Sequence, residues 1–198
     1  MGEPDSQQDE LAGRRLTTVL FVDIVGATPT AVSLGDRAWA ELVERYHELV
    51  RNALHLHRGR LMDTAGDGFF AIFVQAPDAI RCATDVSAAA RTLGLELRSG
   101  VHVGHCWIAD NKCAGADVHI GARLAGAARP GEVLLSEQAA EQAHQAGVAI
   151  ADRGFRSFKG FSGKHRVFAV DDRATGPDVG GGKAARRPPR ARVRRSRA

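Results

Sequence analysis

Hydrophobic residues follow two periods along this chain, and together they predict a domain of mixed helices and strands. Short apolar segments predict strands at residues 17–22, 60–63, 69–74, 97–103, 132–135, 148–158 and 166–170. Apolar residues recur every three to four positions from Trp39 to Leu54, which predicts an amphipathic helix that begins at Asp36 and ends near Gly59. Shorter helices are predicted from an N-cap at Thr28 to Gly35, and over residues 79–93, 118–127 and 137–146.

The order of these elements predicts an α+β fold related to the ferredoxin-like motif, with the pattern βααββαβ followed by further helix and strand. We expect an antiparallel-dominated sheet with the helices packed against one of its faces. Residues 14–170 would form this single domain. Residues 1–13 and 171–198 lack apolar periodicity and are predicted to be disordered.

The net charge of +4 belongs to the C-terminal tail rather than to the domain. Residues 171–198 contain nine Lys/Arg against three Asp, which gives +6 and leaves −2 for residues 1–170. The tail could therefore make weak contacts with polyanions, whereas the domain itself shows no nucleic-acid signature. The three cysteines form no CxxC motif and no apolar run predicts a membrane span, so we expect a reducing, cytoplasmic location.

Two aspartates come where predicted strands stop. Asp23 follows the first apolar segment, and Asp67 begins an Asp-Gly turn between the two hairpin strands. Aspartate is also a common turn former, so either residue alone has a purely structural interpretation. Two carboxylates on rigid neighbouring strands, however, can hold divalent cations on a triphosphate.

Four motifs support the chemical interpretation: FVDIVGAT at 21–28, GDG at 66–68, GVHVG at 100–104 and VHIGAR at 118–123. In their order and spacing they resemble the catalytic domain of the class III nucleotidyl cyclases, over roughly residues 16–170. The resemblance implies that a nucleoside triphosphate is converted to a 3′,5′-cyclic nucleotide and pyrophosphate. It also implies that the enzyme is an adenylate or guanylate cyclase.

The resemblance assigns metal and phosphate roles to the first two motifs. It implies that Asp23 and Asp67 bind two Mg²⁺ or Mn²⁺ ions, assisted by the carbonyl group of Ile24. The backbone amides at Gly26, Ala27 and Thr28 open a helix, and a helix N-terminus is a favourable site for phosphate.

Further roles implied by the resemblance fall in the second half of the chain. Arg123 would stabilise the transition state, and His119 occupies the position of a family Asn four residues earlier, on the same helix face. Lys159 matches a family Lys that meets the triphosphate. His105 stands where some family members have an Arg that contacts phosphate.

The residues that would read the base are exchanged relative to the family. Asp63 occupies the position of a family Lys, and Lys112 occupies that of a family Asp, by ungapped spacing. Guanine presents the hydrogen-bonding pattern opposite to that of adenine, so the exchange favours GTP. The alternative is that Asp63 and Lys112 pair with each other and read nothing.

The family's active sites lie between two catalytic domains, so the resemblance implies a head-to-tail homodimer with two equivalent sites. A second interpretation is a catalytically weak or inactive module that uses the cyclase fold to bind nucleotides or to regulate. A third gives the function to the arginine-rich tail, through nucleic acid or an anionic membrane.

Overall fold

The structure is a computed structural model that describes residues 14–64, 67–109 and 112–171. Its strands are β1 (Arg14–Ile24), β2 (Arg60–Asp63), β3 (Phe69–Phe73), β4 (Leu97–Ala109), β5 (Lys112–Ala114), β6 (Val133–Ser136), β7 (Ile150–Arg156) and β8 (His165–Val170). Its helices are α1 (Ala27–Leu34), α2 (Asp36–Leu56), α3 (Ala76–Arg91), α4 (Ala116–Ala127) and α5 (Glu137–Gln145).

The eight strands form a single sheet in the order β2-β3-β1-β4-β6-β8-β7, with β5 paired to the end of β4. Only β4 and β6 pair in parallel in the described part of the chain, and the other pairs are antiparallel. The predicted α+β fold with an antiparallel-dominated sheet is therefore confirmed. Among the described residues no helix has both the length and the hydropathy to span a bilayer.

Helices cover both faces of the sheet, so the expectation that they cover one face was wrong. The reason lies in the alternation along β1, because successive side chains of a strand point to opposite faces. Leu20 and Val22 join the large core beneath α2, α3 and α5. Val19 and Phe21 join a smaller cluster on the face that carries α4.

Two glycines allow α4 to lie close to the sheet. A Cβ atom at Gly100 of β4 would come 2.3 Å from the backbone nitrogen of Ala125 in α4. A Cβ atom at Gly121 of α4 would come 2.7 Å from the Val19 side chain. These approaches fix the height of α4 above β1 and β4, and α4 carries two of the predicted site residues.

The ends of several elements differ from the sequence-based expectation. Gly26 and Gly35, rather than Thr28 and Asp36, precede the first turns of α1 and α2. Strand β4 continues to Ala109 and returns as β5, a short strand that the sequence pattern did not predict. The tails predicted to be disordered, residues 1–13 and nearly all of 171–198, lie outside the described residues.

Candidate active site

Asp23 lies near the end of β1 and pairs across the sheet with Arg98 of β4. Its Oδ2 atom accepts two hydrogen bonds from the guanidinium group of Arg98, one of them from Nε at 2.8 Å and the other from Nη2. Both side chains are about one-third exposed. The ion pair uses one oxygen of the Asp23 carboxylate and leaves Oδ1 without a partner among the described residues.

Asp67 lies beside the end of β1 because the next residue, Gly68, packs against that strand. A Cβ atom at the neighbouring Gly68 would come 2.7 Å from the carbonyl oxygen of Val22. Tyr46 of α2 is fully buried, and burial, followed by the negative charges of Asp23 and Asp67, raises its pKa far above the ordinary value. Both carboxylates are therefore close enough to act on one buried hydroxyl group.

A cavity of about 530 Å³ opens on the α4 face beside Asp23. Its floor includes the stacked rings of Phe21 and Phe70, whose centroids are 4.4 Å apart. Asp63 and His119 also line it, from β2 and α4 respectively. The cavity thus combines an aromatic floor with polar groups at its walls, a combination suited to a planar polar ring.

A second hollow, of about 380 Å³, lies between α1, α2 and Asp67. Asp67, Ala27 and Thr28 line it. A helix leaves its first amide groups without intrahelical partners, so the start of α1 offers N–H donors there. Gly26 adopts the left-handed backbone conformation, with φ of 66°, as the chain turns from β1 into this helix.

Five predicted site residues do not line these hollows within one chain, namely Ile24, Gly26, Lys112, Arg123 and Lys159. Lys112, Arg123 and Lys159 are exposed, and none of their side chains has a hydrogen bond or ion pair within the described part of the chain. Lys112 is next to Cys113, which lines the larger cavity. Lys159 follows Phe158, which packs with α4 in a separate cluster. Asp63 and Lys112 form no ion pair, so the alternative in which they pair with each other is not seen.

Two neighbours of the carboxylates were not predicted as site residues from the sequence: Arg98, which pairs with Asp23, and Tyr46, whose pKa the two carboxylates help to raise. The register of β1 on β4 places Arg98 opposite Asp23, and its position two residues before Gly100 in the GVHVG motif was the available signal. The Tyr46 side chain belongs to the apolar stripe of α2, and its buried hydroxyl oxygen has no hydrogen-bond partner in the described structure.

The donor set suits a hard divalent cation held jointly with a substrate. No cluster of three or more His, Cys, Asp or Glu side chains among the described residues could hold a metal alone. Mg²⁺ is commonly bound through one or two carboxylates together with substrate phosphates. The two carboxylates and the amides at the start of α1 match that arrangement, and Ile24 ends β1 directly after Asp23.

Comparison with known proteins places this geometry in a recognised fold. A protein of Rhizobium meliloti named "Putative adenylate cyclase 3" is 29% identical over 155 residues, which are 74% of this chain and 26% of that protein. The structure of the adenylyl cyclase CyaB from P. aeruginosa has a TM-score of 0.73 and 23% identity, covering 84% of this chain and 98% of that one. The guanylate cyclase domain of RhGC from Catenaria anguillulae, in complex with GTP, has a TM-score of 0.71 and 16% identity, covering 79% and 96%.

No protein-family model matches the chain. The chain nevertheless has the catalytic-domain fold of the class III adenylate and guanylate cyclases, and the resemblance predicted from its motifs is confirmed. It spans about a quarter of the Rhizobium relative's length.

Proposed function

We propose that this chain is a nucleotidyl cyclase domain that forms a 3′,5′-cyclic nucleotide and pyrophosphate from a nucleoside triphosphate. The observation that carries the proposal is the convergence of Asp23 and Asp67 at the end of β1, beside the first amides of α1. Asp23 also lines the aromatic-floored cavity, which could hold a base. Each copy therefore offers carboxylates for metal-bound phosphates and a cavity for a base, which the homodimer inferred below would combine across two copies.

In this proposal Asp23 and Asp67 hold two Mg²⁺ or Mn²⁺ ions with the carbonyl group of Ile24. When bound, the ions would acidify the 3′-hydroxyl and neutralise charge on the triphosphate. The amides of Gly26, Ala27 and Thr28 would receive phosphate oxygens, because they lie at a helix N-terminus. Arg98 neutralises the Asp23 carboxylate until a cation enters, so cation binding would weaken the Arg98 ion pair.

Arg123, His119 and Lys159 would act on the triphosphate held by a second copy of the chain. Arg123 and Lys159 are exposed and do not line the cavity beside Asp23. A guanidinium group and an ammonium group in such positions can neutralise the phosphate oxygens as charge builds up during transfer. We infer a head-to-tail homodimer in which each site takes its metal-binding aspartates from one copy and its base-reading and transition-state residues from the other.

Asp63 and Lys112 would read the base. Asp63 lines the aromatic-floored cavity, and Lys112 precedes Cys113 on its wall. A carboxylate accepts hydrogen bonds from the N1 and 2-amino groups of guanine but opposes the lone pair at adenine N1. The pair therefore supports a preference for GTP.

The proposal is tested by assaying purified protein with ATP and with GTP, each with Mg²⁺ or Mn²⁺, and by replacing each carboxylate. Asp23→Asn and Asp67→Asn keep the side-chain shape but remove the charge that holds the cations. We expect each to lower product formation by about 100-fold or more.

Glu141→Gln is the matched control, because Glu141 is an exposed carboxylate on α5 that lines neither hollow. It should retain the activity of the parent protein, and circular dichroism should show that all three variants are folded. Product formation by folded Asp23→Asn or Asp67→Asn at the parent rate would disprove the metal assignment. Absence of any cyclic nucleotide from the parent protein would favour a nucleotide-binding or regulatory module.

A further inference from the structure

A separate cavity of about 490 Å³ lies on the α4 face, over the other half of the sheet. It is bounded by the C-terminal half of β4 and by β6, β7 and β8, with Ile120 and Leu124 of α4 along one side. The candidate active-site cavity borders α4 through Val118, His119 and Ala122 instead. Helix α4 therefore separates the two cavities, and none of the residues proposed above for catalysis lines this one.

The floor of this cavity carries buried polar groups that have no hydrogen-bond partner. His102 is 5% exposed and Ser136 is 7% exposed. Nδ1 of His102, the hydroxyl oxygen of Ser136 and Nε2 of His165 have no hydrogen-bond partner within the described structure, whereas Nε2 of His102 faces Asp117. Buried polar atoms in folded proteins are almost always satisfied, by protein, water or a ligand. Three such side chains lining one cavity indicate a site that is built to receive hydrogen bonds.

The charge state of His102 restricts what can bind. Burial, only partly opposed by Asp117, lowers the pKa of His102, and His165 lowers it further. A neutral imidazole has one donor nitrogen and one acceptor nitrogen. The Oδ1 atom of Asp117 lies 3.5 Å from Nε2 of His102, and this carboxylate favours the form of the neutral ring that carries its proton on Nε2. Nδ1 is then an acceptor, and a molecule that satisfies it must bring an N–H or O–H group.

The charged groups at the cavity balance one another. Lys164 and Arg166 line it together with Asp117 and Glu137. Arg166 is already held by Asp152 at 2.8 Å, and one oxygen of Asp117 accepts a hydrogen bond from the backbone of His105 at 2.6 Å. Lys164 is then the cation at the cavity that is left for an anion, and the negative charges of Asp117 and Glu137 lie beside it. This balance favours an uncharged occupant.

The walls are apolar and partly aromatic. Phe158 is buried beside Leu124, while Phe155 and Leu16 stand at the rim with 65% and 61% of their surface exposed. Large exposed apolar side chains around a polar floor are typical of a small-molecule pocket.

From these features we propose that this cavity, here called the His102 pocket, binds a small, uncharged, planar molecule that both donates and accepts hydrogen bonds, such as a nitrogen heterocycle. The ring would lie against Phe155 and Phe158, its N–H group would donate to Nδ1 of His102, and its acceptor would meet Ser136 or His165. The proposal does not depend on cyclase activity, because no proposed catalytic residue takes part.

The test uses three probes of similar size with the full-length protein: indazole, which has a ring N–H and a ring acceptor; indene, its hydrocarbon counterpart; and benzoate, an anion. Binding is followed by two-dimensional NMR of ¹⁵N-labelled protein, with the shifts mapped to assigned amides. We expect indazole to shift amides of β4, β6 and β8 at millimolar concentration. Indene and benzoate should bind at least five-fold more weakly.

Two variants locate the contacts. Ser136→Ala removes one hydrogen-bonding group and should weaken indazole binding about five-fold, as expected for one neutral hydrogen bond. Phe155→Ala removes an exposed wall residue, so it should also weaken binding while leaving the fold intact. His144→Ala, an exposed histidine on α5, is the matched control and should change nothing.

Four results would overturn the proposal. The first is no indazole shift at these amides, which would mean that only water satisfies His102 and Ser136. The second is equal binding of indene, which would show a purely apolar cavity. The third is tighter binding of benzoate, which would show an anion site. The fourth is indazole binding that neither Ser136→Ala nor Phe155→Ala weakens.

Discussion

Adding a single methyl group at Gly100 should displace the helix that carries His119 and Arg123. The new Cβ would lie 2.3 Å from the backbone nitrogen of Ala125, 2.6 Å from the carbonyl oxygen of Gly121 and 2.8 Å from Cβ of Leu124. Backbone atoms cannot rotate away, and ordinary contact begins near 3.4 Å, so α4 must withdraw by about 1 Å. Overpacking of this kind costs about 1–3 kcal/mol.

Urea denaturation of Gly100→Ala should therefore show a lower midpoint. With a slope of about 2 kcal/mol per molar urea, a loss of about 2 kcal/mol lowers the midpoint by about 1 M. Catalytic groups misplaced by about 1 Å can lose about 100-fold in rate, so cyclase activity should fall even under conditions in which the variant is fully folded.

Gly126→Ala is the control for stability on the same helix, because a Cβ there meets nothing within 4 Å. Alanine favours a helix over glycine by up to about 1 kcal/mol, so the midpoint should stay or rise. If Gly100→Ala unfolds at the parent midpoint, the close approach of α4 to β4 is wrong. Equal losses in both variants would likewise refute the packing argument.

Two further predictions concern the proposed function. Asp23→Asn and Arg123→Ala should each be nearly inactive alone. Mixing the two variants should restore activity, because one of the two sites in a mixed dimer is intact. If activity does not recover although mass spectrometry verifies subunit exchange, the shared site is disproved. The parent protein should prefer GTP over ATP by about ten-fold or more, because a carboxylate that faces adenine N1 costs about 1–3 kcal/mol. The double exchange Asp63→Lys/Lys112→Asp should reverse that preference. A parent that prefers ATP, or a double exchange without effect, would refute base reading by this pair.

The local pattern of the sequence predicted whether each main element is a helix or a strand better than it predicted where the element ends or which element it packs against. Periodicity located α2 and the hairpin of β2 and β3, because burial alternates with the period of the element. It did not predict β5, since that three-residue strand exists only because it pairs with the end of β4. How closely α4 approaches the sheet depends on Gly100 and Gly121, whose contacts join residues that are far apart in sequence.

The candidate site was predictable only where a motif supplied it. The motifs identified Asp23 and Asp67 as candidate site residues, and the structure places both near the end of β1. The ion pair between Asp23 and Arg98 requires the register of two strands that are 75 residues apart, so no local pattern shows it. The polar floor of the His102 pocket is assembled from three strands for the same reason. The metal, base and phosphate assignments themselves stay predictions.

Both outer strands of the sheet are poor templates for another strand. Strand β2 has four residues and a register shift between Leu61 and Asp63, and β7 has a shift between Asp152 and Phe155, where Gly154 adopts φ of 73°. Short, bulged and charged edge strands resist pairing with a neighbouring molecule. Copies of this chain are therefore protected from joining edge to edge into a continuous sheet. The helical faces stay open to specific association, and the face that carries α4 also carries the candidate active site.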